Sequence, residues 1–365
     1  MFSINRRLDF ISKLRSLYLT GGLILCLLQP AGGGIDFTFS DLSKLNEKDK
    51  AQLTEVLRLK STFGAQIWPD IENTKIPLIL YNESFMFLTG LPNPPAAWSK
   101  VISDLFEGKN YYRKPAEDTQ AFAVPVGQFW AGSLDTLELM NRSMDQQIRE
   151  NIPAEKLTPA LAKMFEVTPA FHVTVLLHES FHAYQAMTSP ERFKAAQKLY
   201  SVEESYPYEN PSFSEAWNRE GVLLLSAWRA RDLTETVNLI EAFLESRQRR
   251  RDEGGLDPDL VKFERELEWL EGLGKYAEMH FAELAYQITD DPRSKEYRVV
   301  FTRARYDLLS RLAKAGEQSG DLRFYLSGVV QAYLLDRVAP GWKRKIQRNQ
   351  ALALEDLLRS VVIKQ

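Results

Sequence analysis

The sequence predicts an α+β fold that is predominantly α-helical, with a small N-terminal sheet packed on a helical body. Two changes of texture along its 365 residues carry that expectation. From residue 76 to about residue 130, the segments "IPLILYN", "SFMFLTG", "NYYRK" and "AFAVPVGQFW" are short and rich in β-branched and aromatic residues. Pro, Gly and Asn separate them, as expected of strands and turns. From about Ser143 onward nearly every segment repeats apolar residues at helical period, punctuated by "TSPERF", "YPYENPSF", "EGGLDPDL", "TDDPRS" and "APGW". Ahead of the strands, "LSKLNEKDKAQLTEVLRLKSTFG" also has helical period and stops at Gly64. No linker, internal repeat or glycine-rich phosphate loop interrupts this order. Residues 34–365 therefore read as one α+β unit: 34–140 a helix plus the β region, 141–365 the helical body.

Composition narrows the function. The chain is 44% hydrophobic, enough for a sizeable core. With 49 acidic and 46 basic residues and a net charge of −3, nothing points to nucleic acid as a partner. The densest basic run, "RQRRR" from Arg247 to Arg251, falls at a helix end before "DEGG". There it reads as a solvated C-terminal turn, since cations are favoured at that end of the helix dipole.

The N-terminal segment carries Arg6, Arg7, Lys13 and Arg15, then apolar "LYLTGGLILCLL", then "QPAGGG". A basic head, a short apolar centre and small residues make a secretory signal peptide over residues 1–33, with cleavage before Gly34. The apolar stretch is shorter than the roughly 20 residues of a spanning helix, and a retained anchor is the alternative. Membrane contact is expected only through that segment if it is uncleaved. The single cysteine, Cys26, lies within it, so the mature chain holds no disulfide. The expected location is exported: periplasmic, cell-envelope or secreted, in a bacterium rather than along the eukaryotic secretory route.

Within the helical half stands "TPAFHVTVLLHESFHAYQAM". Thr168 followed by Pro169 is a good helix start, a capping hydroxyl and then a residue whose missing N–H costs nothing there. His178 and His182, four apart, lie one turn apart on one face, about 6 Å along the axis, so both imidazoles reach a common ion. Glu179 projects about 100° round the helix, where a carboxylate reaches water at a metal without ligating it. That is the arrangement of a hydrolytic zinc site, expected to hold one Zn²⁺. The other two histidines, His172 and His280, have no such spacing.

A third ligand is expected downstream, in the helical segment that starts near Pro258. There "WLEGLGKYAE", from Trp269 to Glu278, resembles the second signature of the gluzincin metallopeptidases, in which a helix bearing N-E-G-F-A-x-Y-x-E supplies the glutamate ligand. The resemblance places Glu271 at the ligand position and matches Gly272, Tyr276 and Glu278 after it. Leu270 stands where the family has Asn, and residues 183–270 form a longer spacer, with room for two or three extra helices. Gly272 is expected to let this helix approach the HESFH helix. Glu220, followed by Gly221 in "WNREGVLLL", is the rival ligand, and the residues after Glu271 favour Glu271. Glu264, Glu268, Glu271 and Glu278 share a face by spacing and need a positive partner or water. Glu268 or Glu278 is expected to orient a ligand histidine.

The resemblance implies a zincin-like fold and a zinc peptidase acting on a peptide or protein substrate, which the leader would make an exported one. Glu179 is then the general base and Tyr325 the oxyanion donor, with Tyr333 further along the same helix. It also implies a sheet edge beside the zinc helix, for which "AFAVPVGQFW" is the candidate; Pro125 fits an edge or bulged strand. Two alternatives stay open, a non-catalytic binding protein of the cell envelope on this scaffold, and a zinc hydrolase of another amide or ester.

Overall fold

The computed structural model describes residues 41–117 and 122–363; the expected leader, its cleavage point and Cys26 lie outside the described residues. Within them the chain is α+β and mostly helical, with one small mixed sheet. Helix α1 (Glu47–Ile67) starts behind Asn46, whose side chain accepts from the Asp49 N–H. The strands follow: β1 (Leu78–Tyr81), β2 (Phe85–Thr89), the two-residue β3 (Ser99–Lys100), β4 (Tyr112–Pro115), β5 (Phe122–Val126) and β6 (Phe129–Asp135). Their order across the sheet is β3-β4-β2-β1-β6-β5, antiparallel except for the parallel β1–β6 pair. The stretch "AFAVPVGQFW" is thus two strands joined by a tight hairpin. Gly127 takes a φ of 63°, the positive value that such a turn requires. Pro125 sits on β5, an edge strand, where its missing N–H removes no interior ladder bond.

Alternation along β1 serves two cores. Leu78 and Leu80 join the main core, while Ile79 and Tyr81 face a smaller one with Met86, Leu88, Ala131 and Leu139. The main core extends from Leu45 to Leu358, drawing on the sheet and on the helices that follow.

Those helices are α2 (Leu137–Asn151), α3 (Pro159–Met164), α4 (Pro169–Thr188), α5 (Pro190–Leu199), α6 (Pro211–Arg229), α7 (Leu233–Glu253) and α8 (Pro258–Leu267). A π-helical turn (Glu268–Gly272) leads into α9 (Leu273–Tyr286), followed by α10 (Ser294–Leu312), α11 (Leu322–Val338), α12 (Trp342–Arg348) and α13 (Leu354–Val362). None of the described helices is long and apolar enough to cross a membrane. Helix α4 lies at the centre, with 16 of its 20 residues buried, and its Thr168 hydroxyl accepts from the Phe171 N–H as the Thr-Pro start predicts. Strand β6 lies directly on it. A Cβ at Gly132 would stand 2.8 Å from the Ser180 N, closer than a side chain tolerates, so this crossing requires glycine.

Three of the four arginines in the basic run at the end of α7 are withdrawn from solvent, while Arg249 is exposed. Arg247, Arg250 and Arg251 are 1%, 2% and 6% exposed and are enclosed by Glu220, Glu264, Glu268 and Glu355. All five N–H groups of Arg247 are used: Nε to Glu220, two to Glu268, one to Glu355 and one to the Ser327 hydroxyl. The run does end a helix, but the expected solvation fails for these three, because the acids that neutralise their guanidiniums come from α6, α8, the π turn and α13.

Candidate metal centre

His178 and His182 project from α4 with their Nε2 atoms 2.9 Å apart. The Oε2 of Glu271, from the π turn, lies 3.8 Å from the first and 3.4 Å from the second. Donor atoms held at about 2.0–2.2 Å from an ion in tetrahedral array lie about 3.3–3.5 Å from one another. The observed separations bracket that range, and these three residues are the group among the described residues whose donors converge in this way.

Both imidazoles are oriented from behind. The Nδ1 of His178 is 3.2 Å from Glu278 Oε2, and the Nδ1 of His182 is 2.9 Å from Gln185 Oε1. Each partner is an acceptor, which places the protons on Nδ1 and leaves the two Nε2 lone pairs facing each other and a carboxylate oxygen. Such a cluster of acceptors is suited to a cation. Burial works against the imidazolium of His178, yet the hydrogen bonds and charges of Glu271 and Glu278 outweigh it and raise its pKa. Glu278 stays ionised: burial pushes its pKa up, but Lys275, 2.6 Å away, and His178 hold it below the usual range. Gln185 in turn donates to the Trp269 carbonyl of the π turn at 2.7 Å, tying the helix of the histidines to the segment of the glutamate.

The π turn decides which acid faces what. Its wider winding separates Glu268 and Glu271, which a regular helix would set on one side. Glu268 turns to Arg247 and the Ser327 hydroxyl, and Glu271 turns to the imidazoles. Of the two acids expected to orient a histidine, Glu278 does so, and Glu268 belongs to the arginine cluster instead. The stripe of four acids therefore meets arginines at one end and imidazoles at the other, not water.

Glu220 is not at this centre. It is fully buried on α6 and accepts from Arg247 Nε at 3.0 Å and Arg250 Nε at 2.5 Å. Its likeness to Glu271 was one of packing, since the glycine after each marks a close helix crossing. A Cβ on Gly221 would meet the Leu312 carbonyl at 1.8 Å, and one on Gly272 would meet the Gly328 Cα at 2.6 Å. Gly272 thus fits against α11, not against the HESFH helix. The glycine that admits the histidines is Gly274, whose added Cβ would stand 2.8 Å from His178 Nε2 and 3.0 Å from His182 Cε1. Gly274→Ala is expected to weaken metal binding while the helical circular dichroism stays that of the parent, read by chelator competition.

Glu179 is 2% exposed and shares with His178 and Tyr325 the wall of a cavity of about 70 Å³, otherwise lined mainly by apolar groups such as Val175, Met279 and Leu326. Tyr325 on α11 stacks on the His178 ring, centroids 6.2 Å apart and planes 18° from parallel. Burial, then the Glu271 charge, raises its phenol pKa well above the ordinary value, so it remains a donor. Tyr333 is elsewhere, packed among Trp228, Tyr276 and His280. His172 is fully buried and hydrogen-bonds the Asp135 carbonyl at 2.8 Å. Strand β5 flanks the centre, with Phe122 4.7 Å from the His182 ring. Sequence reasoning missed Tyr200, whose phenol donates to Glu271 Oε1 at 3.0 Å, and Gln185. Comparison with family models, with curated proteins and with solved structures finds no match for this chain.

Proposed function

We propose that the protein is an exported zinc-dependent peptidase with a zincin-like arrangement of helix, ligands and sheet edge. The observation that carries this reading is the convergence of His178 Nε2, His182 Nε2 and Glu271 Oε2 while both Nδ1 atoms are engaged by acceptors. Zinc held by these three groups supplies Lewis acidity, lowering the pKa of water to about 7 and polarising a carbonyl. The remaining work falls to the chain's own side chains. Glu179, on the same helix and buried beside the ligands, takes the proton of the attacking water and passes it to the leaving amine. Tyr325 donates its phenolic proton to the oxyanion as charge develops there. Edge strand β5 offers backbone pairing to an extended substrate, which binds peptide with tolerance of its sequence. The cavity beside Glu179 receives a single side chain next to the scissile bond.

The test is hydrolysis of a peptide library by the purified mature protein. Cleavage is expected to stop with a zinc chelator and to return with one equivalent of zinc. Cleavage indifferent to the chelator, or none by zinc-loaded protein, would contradict this function.

A further inference from the structure

Glu271 meets the two imidazoles and two phenols, those of Tyr325 and Tyr200. Its Oε2 faces the two imidazoles, while its Oε1 accepts from the Tyr200 phenol at 3.0 Å. The same phenol oxygen stands 3.2 Å from Oδ2 of Asp321, a residue 1% exposed at the start of α11. The three groups come from separate segments: Tyr200 from the 3₁₀ turn after α5, Glu271 from the π turn, Asp321 from the N-terminal end of the helix that carries Tyr325. The Tyr200 ring is held edge-on to Phe263, centroids 6.2 Å apart.

We propose that Tyr200, aimed by Asp321, is a positioning residue that presents Glu271 to the metal through one oxygen. A carboxylate fixed at one oxygen by a ligand cluster still swings about that point. A phenol on the other oxygen stops the swing and keeps Oε1 away from the ion, so that a coordination position is left for water and substrate. The phenol has one proton to give; Glu271 takes the shorter arm of a three-centre bond and Asp321 the longer, which holds the hydroxyl between the two carboxylates. Because Asp321 begins α11 and Tyr325 lies one turn further on, the same bridge ties the oxyanion donor's helix to the metal ligand. Tyr200 touches neither substrate nor reacting atoms in this assignment; it acts through Glu271.

This rests on the zinc reading, and the experiment separates the two. Zinc affinity is measured by chelator competition, and the cobalt(II) visible spectrum recorded, for the parent protein, Tyr200→Phe and Tyr206→Phe. Tyr206 is the control: its phenol also donates to a buried carboxylate, Glu264 at 2.6 Å, but in the arginine cluster. Tyr200→Phe keeps the ring against Phe263 and is expected to weaken zinc binding by about 10–100-fold, with an altered cobalt band. Tyr206→Phe is expected to lower the melting temperature and leave zinc affinity unchanged. Parent-like affinity in Tyr200→Phe, or equal weakening by both substitutions, would overturn the positioning role. A parent protein that takes up no zinc would overturn the metal reading along with it.

Discussion

Replacing Glu179 with glutamine is expected to lower peptide hydrolysis by about 10²–10⁴-fold while zinc stays bound. The substitution keeps the size of the side chain and leaves the three donor atoms untouched. Glu179 is not among the converging ligands; it projects about 100° round α4 from His178, into the cavity that His178 and Tyr325 also line. A carboxylate there accepts the proton of the attacking water, and an amide does not. Activity and metal content measured on one preparation check the point. If zinc is lost together with activity, Glu179 supports the site and the chemistry belongs to another group.

Removing Arg247 is expected to be the most damaging single change to the fold. Arg247→Met would leave Glu220, Glu268 and Glu355 with one fewer cation in the protein interior, and breaking a buried ion cluster in this way costs about 3–5 kcal/mol. Urea unfolding at pH 7 reads that loss directly; a change near zero would mean that the cluster contributes little. The same cluster should make the fold acid-sensitive. Burial alone would raise the pKa of Glu355, but Arg251 and Arg247 outweigh it and bring it down to about 2, and Arg250 and Arg251 hold Glu264 lower still. Carboxyls whose folded pKa lies below the unfolded value contribute stability above about pH 4.3 and lose it as the pH falls toward 2. Unfolding free energies of the parent protein should decline through that window. Glu268 shares the π turn with Glu271, so Arg247→Met should weaken zinc binding as well.

How much of this was legible in the sequence follows from how local each cause is. The cap at Thr168, the four-residue spacing of His178 and His182, and the β-branched strands are set by neighbours in the chain, and they stand where period and turn chemistry place them. Glu271 was reachable through the residues that follow it. The arginine cluster was not, because a charged run at a helix end is ordinarily solvated, and its four acids lie on other segments. One signal was available: four glutamates that share a face by spacing, from Glu264 to Glu278, needed a counter-charge, and an arginine run ended the helix before them. The π turn leaves no mark in hydrophobic period, yet it is what divides Glu268 from Glu271. Tyr200 lies in an aromatic turn, "KLYSVEESYPY", with no helical or strand pattern to single it out, and only the folded chain brings it to Glu271.

The claim on which the rest depends is that His178, His182 and Glu271 hold one zinc ion. Zinc-edge X-ray absorption, with metal content, on the parent protein and on His182→Ala tests it most directly. The expected result is one zinc per chain, with two imidazole nitrogens and oxygen at about 2.0–2.2 Å, lost or greatly weakened in His182→Ala. A parent protein without zinc, or a zinc site that His182→Ala leaves unchanged, would contradict it.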